Sequence, residues 1–209
     1  MQLFTRGIQM RGRPATVGAH ATALRDHVAK NTGLDIGLWS IMFGAPVGTF
    51  AYTARVDGLT GYERMTAALS GDAEWDALVA KGAEMVVGPP VDSLREPLTP
   101  DMADAPAVGS VATVTTAVIT GGRYTEATSW GLDIAAHATQ VTGEPVMFMM
   151  DMFGTFGQVS WIVSSPSCVE ADALNSKLNT DAGYMDKLNA SRGLFVDGHS
   201  HRSIALRIA

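Results

Sequence analysis

The stretch GRPATVGAHATALRDHVAKNTG at residues 12–33 is answered by GRYTEATSWGLDIAAHATQVTG at residues 122–143, with identities at Gly12/Gly122, Arg13/Arg123, His27/His137, Thr32/Thr142 and Gly33/Gly143. Self-similarity at a fixed offset is the signature of a structural unit written twice. The offset of 110 runs on through Phe43/Phe153 and Gly44/Gly154, then slips to 109 for Gly48/Gly157, Leu69/Leu178 and Asp72/Asp181. Aromatic positions correspond as well, Tyr52 with Trp161 and Trp75 with Tyr184. Between the copies lies PLTPDMADAPA at residues 97–107, whose prolines and aspartates read as a linker. The boundary is expected near Asp104, dividing the chain into modules 1–103 and 104–209.

Each copy predicts the same series of elements. Leu3 to Met10 and Val111 to Ile119 are rich in Thr, Val, Ile and Phe and end at glycines, as strands do. Val17, Ala21, Leu24 and Val28 recur at helical spacing, as do Ala127, Gly131, Ile134 and Ala138. Each of these amphipathic helices stops at a glycine, Gly33 or Gly143. Ile36–Phe43 with Thr49–Val56, and Val146–Phe153 with Gln158–Val163, read as hairpins across short turns. A helical region follows in each copy, restarted at Asp72 or Asp181, a residue suited to accept the orphan N–H groups of a first turn. Strands near Val91–Leu98 and Ser200–Ile208 close the copies. The order βαββαβ is the ferredoxin-like arrangement, an antiparallel sheet with helices on one face. Two such sheets in one chain cover each other's bare faces, so the expected class is α+β: two tandem ferredoxin-like modules forming a barrel from two sheets face to face.

Composition excludes several functions. The chain has 209 residues, 46% of them apolar, enough for a substantial core without disulfides. A net charge of −6 with no basic cluster gives no footprint for nucleic acid or an anionic membrane, so neither is an expected partner. Val146–Met150 is far shorter than the roughly 20 residues of a transmembrane helix. Met1 to Arg13 carries charge where a leader needs its apolar stretch, and the single Cys168 has no partner for an internal disulfide, so a cytoplasmic location is expected.

The Phe-Gly turn followed by an apolar strand with an aromatic (Phe43-Gly44 to Tyr52; Phe153-Gly154 to Trp161), then a helix, then Asp-x-x-aromatic (Asp72 to Trp75; Asp181 to Tyr184), resembles the dimeric α+β barrel superfamily. Within it the chain is similar to NIPSNAP-like and antibiotic-biosynthesis-monooxygenase-like members. That resemblance implies a barrel with an interior cavity, and activities in the family include cofactor-free oxygenation of aromatic molecules and haem handling. Many members carry one module per chain and build the barrel as a homodimer, whereas here both are fused. No catalytic motif of the family transfers residue by residue.

Among the residues themselves, His27 and His137 occupy equivalent helical positions beside the apolar stripe. They read either as general bases or axial ligands or as flank histidines bonded to a neighbouring loop. His20 lies on the same face, but its counterpart is Trp130, which makes a haem or metal role weak. Asp151 interrupts a methionine-rich strand; pointing inward it is a desolvated candidate base, pointing outward a solvated edge residue. Trp39, Tyr52, Trp161 and Met150 are candidate walls for a flat apolar ligand or ordinary core, and Arg6 and Arg55 are lone strand charges that either steer an acidic ligand or reach solvent. His199 and His201 form an H-x-H pair too small for a metal site and read as an exposed loop, and no metal or other cofactor is expected.

The leading expectation is therefore binding of a small apolar or aromatic molecule in the barrel cavity, with cofactor-independent monooxygenase-like chemistry at His27, His137 or Asp151 and with Trp39, Tyr52, Trp161, Met150 and Arg55 contacting the substrate. The alternatives are a non-catalytic assembly module, with a homodimer as its simplest form, and a haem-binding protein.

Overall fold

The computed structural model describes residues 1–100 and 105–209. The chain forms β1 (Gln2–Gln9), α1 (Pro14–Thr32), β2 (Ile36–Phe43), β3 (Thr49–Val56), α2 (Gly58–Ala67), α3 (Ala73–Gly82) and β4 (Val91–Pro97), then β5 (Val111–Val118), α4 (Tyr124–Thr142), β6 (Met147–Phe153), β7 (Gln158–Ser165), α5 (Cys168–Thr180), α6 (Ala182–Ala190) and β8 (His201–Arg207). The expected boundary near Asp104 lies outside the described residues.

The eight strands of the described residues join one closed antiparallel barrel in the order β1-β3-β2-β8-β5-β7-β6-β4. The order β4-β1-β3-β2 recurs as β8-β5-β7-β6. The two four-stranded groups meet edge to edge, β2 on β8 and β4 on β6, rather than as two separate sheets stacked face to face. The physical reason is that an edge strand has unpaired N–H and C=O groups, and pairing the edges satisfies them where stacking does not. Closure takes place within one chain.

Sequence signals account for the element ends. Gly33 and Gly143 adopt left-handed conformations after α1 and α4, and each N–H returns to a carbonyl of the last turn, Ala29 or Thr139. Asp72 accepts from the N–H groups of Glu74 and Trp75, and Asp181 from that of Tyr184.

Period-two alternation divides every strand between an inner face toward the lumen and an outer face under the helices. Phe4, Leu38, Phe50, Tyr52 and Val56 lie on the outer face and pack with α1 residues Val17, Ala21 and Leu24. Phe148 and Val159 do the same with Ala127 and Ala135 of α4. Met147, Met149 and Ile162 turn inward. Close approach of α4 to its sheet depends on Gly131, because a Cβ there would overlap the Phe148 ring. Gly131→Ala is expected to destabilise by up to about 2 kcal/mol in urea unfolding, overpacking of about 1–3 kcal/mol being offset by roughly 1 kcal/mol of helix propensity. Unchanged stability would mean that the helix moves freely off the sheet.

Candidate functional site

The structure separates the residues that the sequence grouped into one cavity. Trp39 and Arg55 line the lumen, a cavity of about 390 Å³. Asp151 shares the inward face of β6 with Met147 and Met149, its side chain only 1% exposed. Arg95 Nε donates to its Oδ1 and Gln158 Nε2 to its Oδ2, both at 2.8 Å. Burial raises the Asp151 pKa from its ordinary value of 3.8, against the downward pull of Arg95.

Trp161 and Met150 lie on the outer face of the sheet in the second half. His27 and His137 also stand outside the lumen, each bound to the aspartate that caps the following short helix: His27 Nε2 to Asp72 Oδ2 at 2.8 Å and His137 Nε2 to Asp181 Oδ1 at 2.7 Å. This repeated contact ties α1 to α3 and α4 to α6. The Trp75 N–H and then His27 hold the Asp72 carboxyl below its ordinary value of 3.8, and His137 and then the Tyr184 N–H do so for Asp181. A lowered folded pKa means stability that is present above about pH 4 and lost as pH falls through the folded values. Asp72→Asn with Asp181→Asn is expected to flatten the acid limb of the stability curve below pH 4, measured by urea midpoints. An unchanged slope would remove these caps from the account.

Tyr52 belongs to a different cavity from Trp39. Its ring lies on the outer face, and its hydroxyl donates to Ala21 O of α1 at 3.2 Å. Trp161 Nε1 donates to Gly131 O of α4 at 3.0 Å, the corresponding bond in the second half. Around Tyr52, the layer between α1–α3 and the sheet holds a pocket of about 210 Å³ whose wall includes Phe4, His20, Leu24, Tyr52, Met65 and Trp75. The wall is almost wholly apolar.

The corresponding layer of the second half is occupied by aromatic rings. At the four positions where the first half has His20, Leu38, Tyr52 and Val86, the second has Trp130, Phe148, Trp161 and Phe195. Each side chain is larger. Trp130 meets Trp161 and Phe195 edge-on at 5.7 and 5.4 Å, and Phe148 stacks on Trp161 at 4.9 Å. Trp130 Nε1 donates to Lys187 O at 2.9 Å, completing its polar contact. The first half therefore has a pocket where the second has a packed aromatic core.

His20 is the buried base in that pocket wall, 6% exposed. Its Nδ1 is buried without a hydrogen-bond partner. A Cβ at Gly82, the last residue of α3, would collide with its Nε2, so a glycine there makes room for the imidazole. Burial first, and the nearby Lys81 charge second, lower the His20 pKa, so the ring is mostly neutral at pH 7 and one of its nitrogens is a hydrogen-bond acceptor. Sequence reasoning ranks the duplicated histidines first and passes over His20 because its counterpart is a tryptophan. The mismatch is itself the signal, since it marks where one half keeps space and the other fills it.

The remaining polar candidates are accounted for by contacts at the surface. Arg6 lies outside the barrel in a two-bond pair with Asp92 at 2.8 and 2.6 Å. His199 and His201 are exposed, bonded to Asp197 O and Gly44 O. Among the described residues no group of three or more His, Cys, Asp or Glu side chains is placed to hold a metal ion, and no helix is long and apolar enough to cross a membrane.

No protein-family model matches the chain, and no curated protein sequence does. Solved structures do match. A candidate monooxygenase from Fusobacterium nucleatum superposes with a TM-score of 0.65 at 11% identity, over 100% of this chain and 92% of that one. An anthrone oxidase-like protein superposes at 0.63 and 14% identity, over 99% and 92%. A haem-binding protein from Thermus thermophilus reaches 0.51 at 13% identity, over 99% and 90%. At these identities the likeness shows the fold alone: the chain has the α+β barrel fold of these proteins.

Proposed function

We propose that this protein binds a small, flat, apolar molecule carrying an acidic O–H or C–H group in the pocket beneath α1–α3, and that His20 is the base that takes its proton. The observation that carries this reading is a buried imidazole whose Nδ1 has no hydrogen-bond partner, in a wall that is mostly hydrocarbon and aromatic and has Arg6, Thr53 and Thr66 as its other polar members. An unpaired buried nitrogen costs about 1–3 kcal/mol, and a ligand hydroxyl supplies the missing partner. The volume of about 210 Å³ fits one or two fused rings and is small for a haem, so the haem reading ranks behind. In the reaction class this suggests, His20 removes a proton from an activated methylene and leaves the electron pair on the substrate. The carbanion is then oxidised by dioxygen, with overall balance R₂CH₂ + O₂ giving R₂C=O + H₂O. The names of the structural neighbours favour that class.

In this reading the chain is two tandem ferredoxin-like modules, 1–103 and 104–209. Support comes from the repeated strand order, the paired His–Asp contacts and the paired Tyr52/Trp161 bonds to the first helices. One module keeps a site, and the other serves as scaffold. The assembly reading has its own support in Phe43, Val47, Phe153 and Phe156, all more than half exposed at the β2–β3 and β6–β7 turns. Native mass spectrometry of gently purified protein tests both. Bound mass of a few hundred daltons that departs on denaturation, and is absent from His20→Trp, supports the pocket. A bare chain or a bare multiple of it moves the assembly reading ahead.

A further inference from the structure

We propose that the barrel lumen is a second binding site, and that its ligand is a neutral, apolar ketone whose carbonyl oxygen is held by the hydroxyls of Thr5 and Thr53. The lumen lies on the opposite face of β1 and β3 from the layer under the helices, and its volume of about 390 Å³ falls in the range of small-molecule sites. Arg95 and Arg207 of its wall are paired with Asp151 at 2.8 Å and Asp35 at 3.1 Å, so these pairs offer an ionic head group no unmatched charge.

The two halves of the lumen differ in polarity instead. Thr53 corresponds to Ile162, one residue past Tyr52 and Trp161. Directly opposite Thr53 on β1 stands Thr5, and directly opposite Ile162 on β5 stands Val114. Gly37 and Trp39 of β2 likewise correspond to Met147 and Met149 of β6. These residues line the cavity. One wall thus carries hydroxyls and an indole, and the facing wall carries hydrocarbon and thioether.

Hydrogen bonding in the polar wall is incomplete. Trp39 Nε1 donates to Thr53 Oγ1 at 3.0 Å, which holds that hydroxyl in the lumen and leaves its own hydrogen to be given elsewhere. Gly37 makes room for this bond, since a Cβ there would stand 2.7 Å from Thr53 Oγ1 and 3.0 Å from Trp39 Nε1. Thr5 Oγ1 is buried and has no partner. Directly opposed side chains start from Cβ atoms roughly 5 Å apart, so one ligand oxygen between them is within reach of both O–H groups. A carbonyl oxygen accepts two hydrogen bonds and brings no hydrogen of its own. Leaving a buried hydroxyl unpaired is a cost that such a ligand removes. The hydrocarbon on either side of the carbonyl then lies against Trp39 and the facing wall, where the flexible side chains of Met147 and Met149 fit themselves to a ring or a chain.

Benzophenone, a neutral ketone with a ring on each side of its carbonyl, tests the site on the intact chain against diphenylmethane, which has a methylene in place of the carbonyl. Isothermal titration is expected to give saturable benzophenone binding that is kept in His20→Trp, the variant that fills the other pocket; this site does not depend on the base assigned to His20. Thr5→Val copies Val114 of the second half with little change of size. It weakens benzophenone about three- to tenfold and leaves diphenylmethane unweakened, since only the ketone loses a hydrogen bond. Its urea midpoint is at or above that of the wild type, because no partnered hydroxyl is lost. Under ultraviolet light bound benzophenone takes hydrogen from a nearby C–H and joins that carbon, and peptide mass spectrometry is expected to find the adduct on Met147 or Met149. Ala51→Leu narrows the lumen and abolishes that adduct. No saturable binding to the wild type, binding lost in His20→Trp, an adduct confined to Met10 or Met65 of the other pocket, or Thr5→Val weakening both compounds alike would each overturn the proposal.

Discussion

His20→Trp is expected to abolish binding of a one- or two-ring phenol such as 1-naphthol while leaving the protein folded. The substitution copies into the first half what the second half already contains, an indole at this helical position packed against the residue of the third strand, Trp161 there and Tyr52 here. Burying about 150 Å² of aromatic surface at about 25 cal/mol per Å² is worth roughly 4 kcal/mol, so losing the pocket weakens binding by several hundredfold. His20→Gln separates space from chemistry. It keeps a hydrogen-bonding side chain of similar size, so binding falls modestly while proton abstraction is lost. Isothermal titration gives the first quantity, and loss of the substrate's C–H signal in deuterated buffer gives the second. Phenol affinity unchanged in His20→Trp would place the site elsewhere.

Arg95→Met is expected to cost about 3–5 kcal/mol of stability at pH 7, because it leaves the Asp151 carboxylate buried beside an apolar side chain. The double variant Arg95→Met/Asp151→Leu, which removes both charges, is expected to lie within about 1 kcal/mol of the wild type. The pH dependence follows from the direction of the Asp151 shift. Its folded pKa stands above the ordinary 3.8, and losing Arg95 takes away the interactions that pull it down. A raised carboxyl pKa favours the folded state most below the unfolded value and loses that contribution as pH rises through the folded one. The single variant therefore recovers stability as pH is lowered from 7 toward 4, measured by urea unfolding. A single variant as stable as the wild type at pH 7 would mean that water reaches Asp151.

Much of this architecture is legible in the chain because short-range physics sets it. Gly33 and Gly143 end their helices for the same conformational reason, and Asp72 and Asp181 cap for the same hydrogen-bonding reason, so two copies of one signal locate each element. What the sequence leaves open is which face of a strand a side chain occupies once the barrel closes. Trp39 and Tyr52 look alike as strand aromatics, yet in the hairpin register Trp39 pairs with Ala51 and Leu38 with Tyr52, which sends the two rings to opposite faces. Shift either by one residue and the assignment reverses. The pairing of His27 with Asp72, 45 residues apart, also depends on how α1 and α3 meet, and no local pattern encodes that distance.

The most direct test of the central claim is a crystal structure of the protein soaked in 1-naphthol. Density for one ring system in the first half, among Phe4, Tyr52 and Trp75 and with its oxygen about 3 Å from the His20 ring, is the result the account predicts. An empty pocket there, or a naphthol bound among Trp130, Trp161 and Phe195 in the second half, would contradict it.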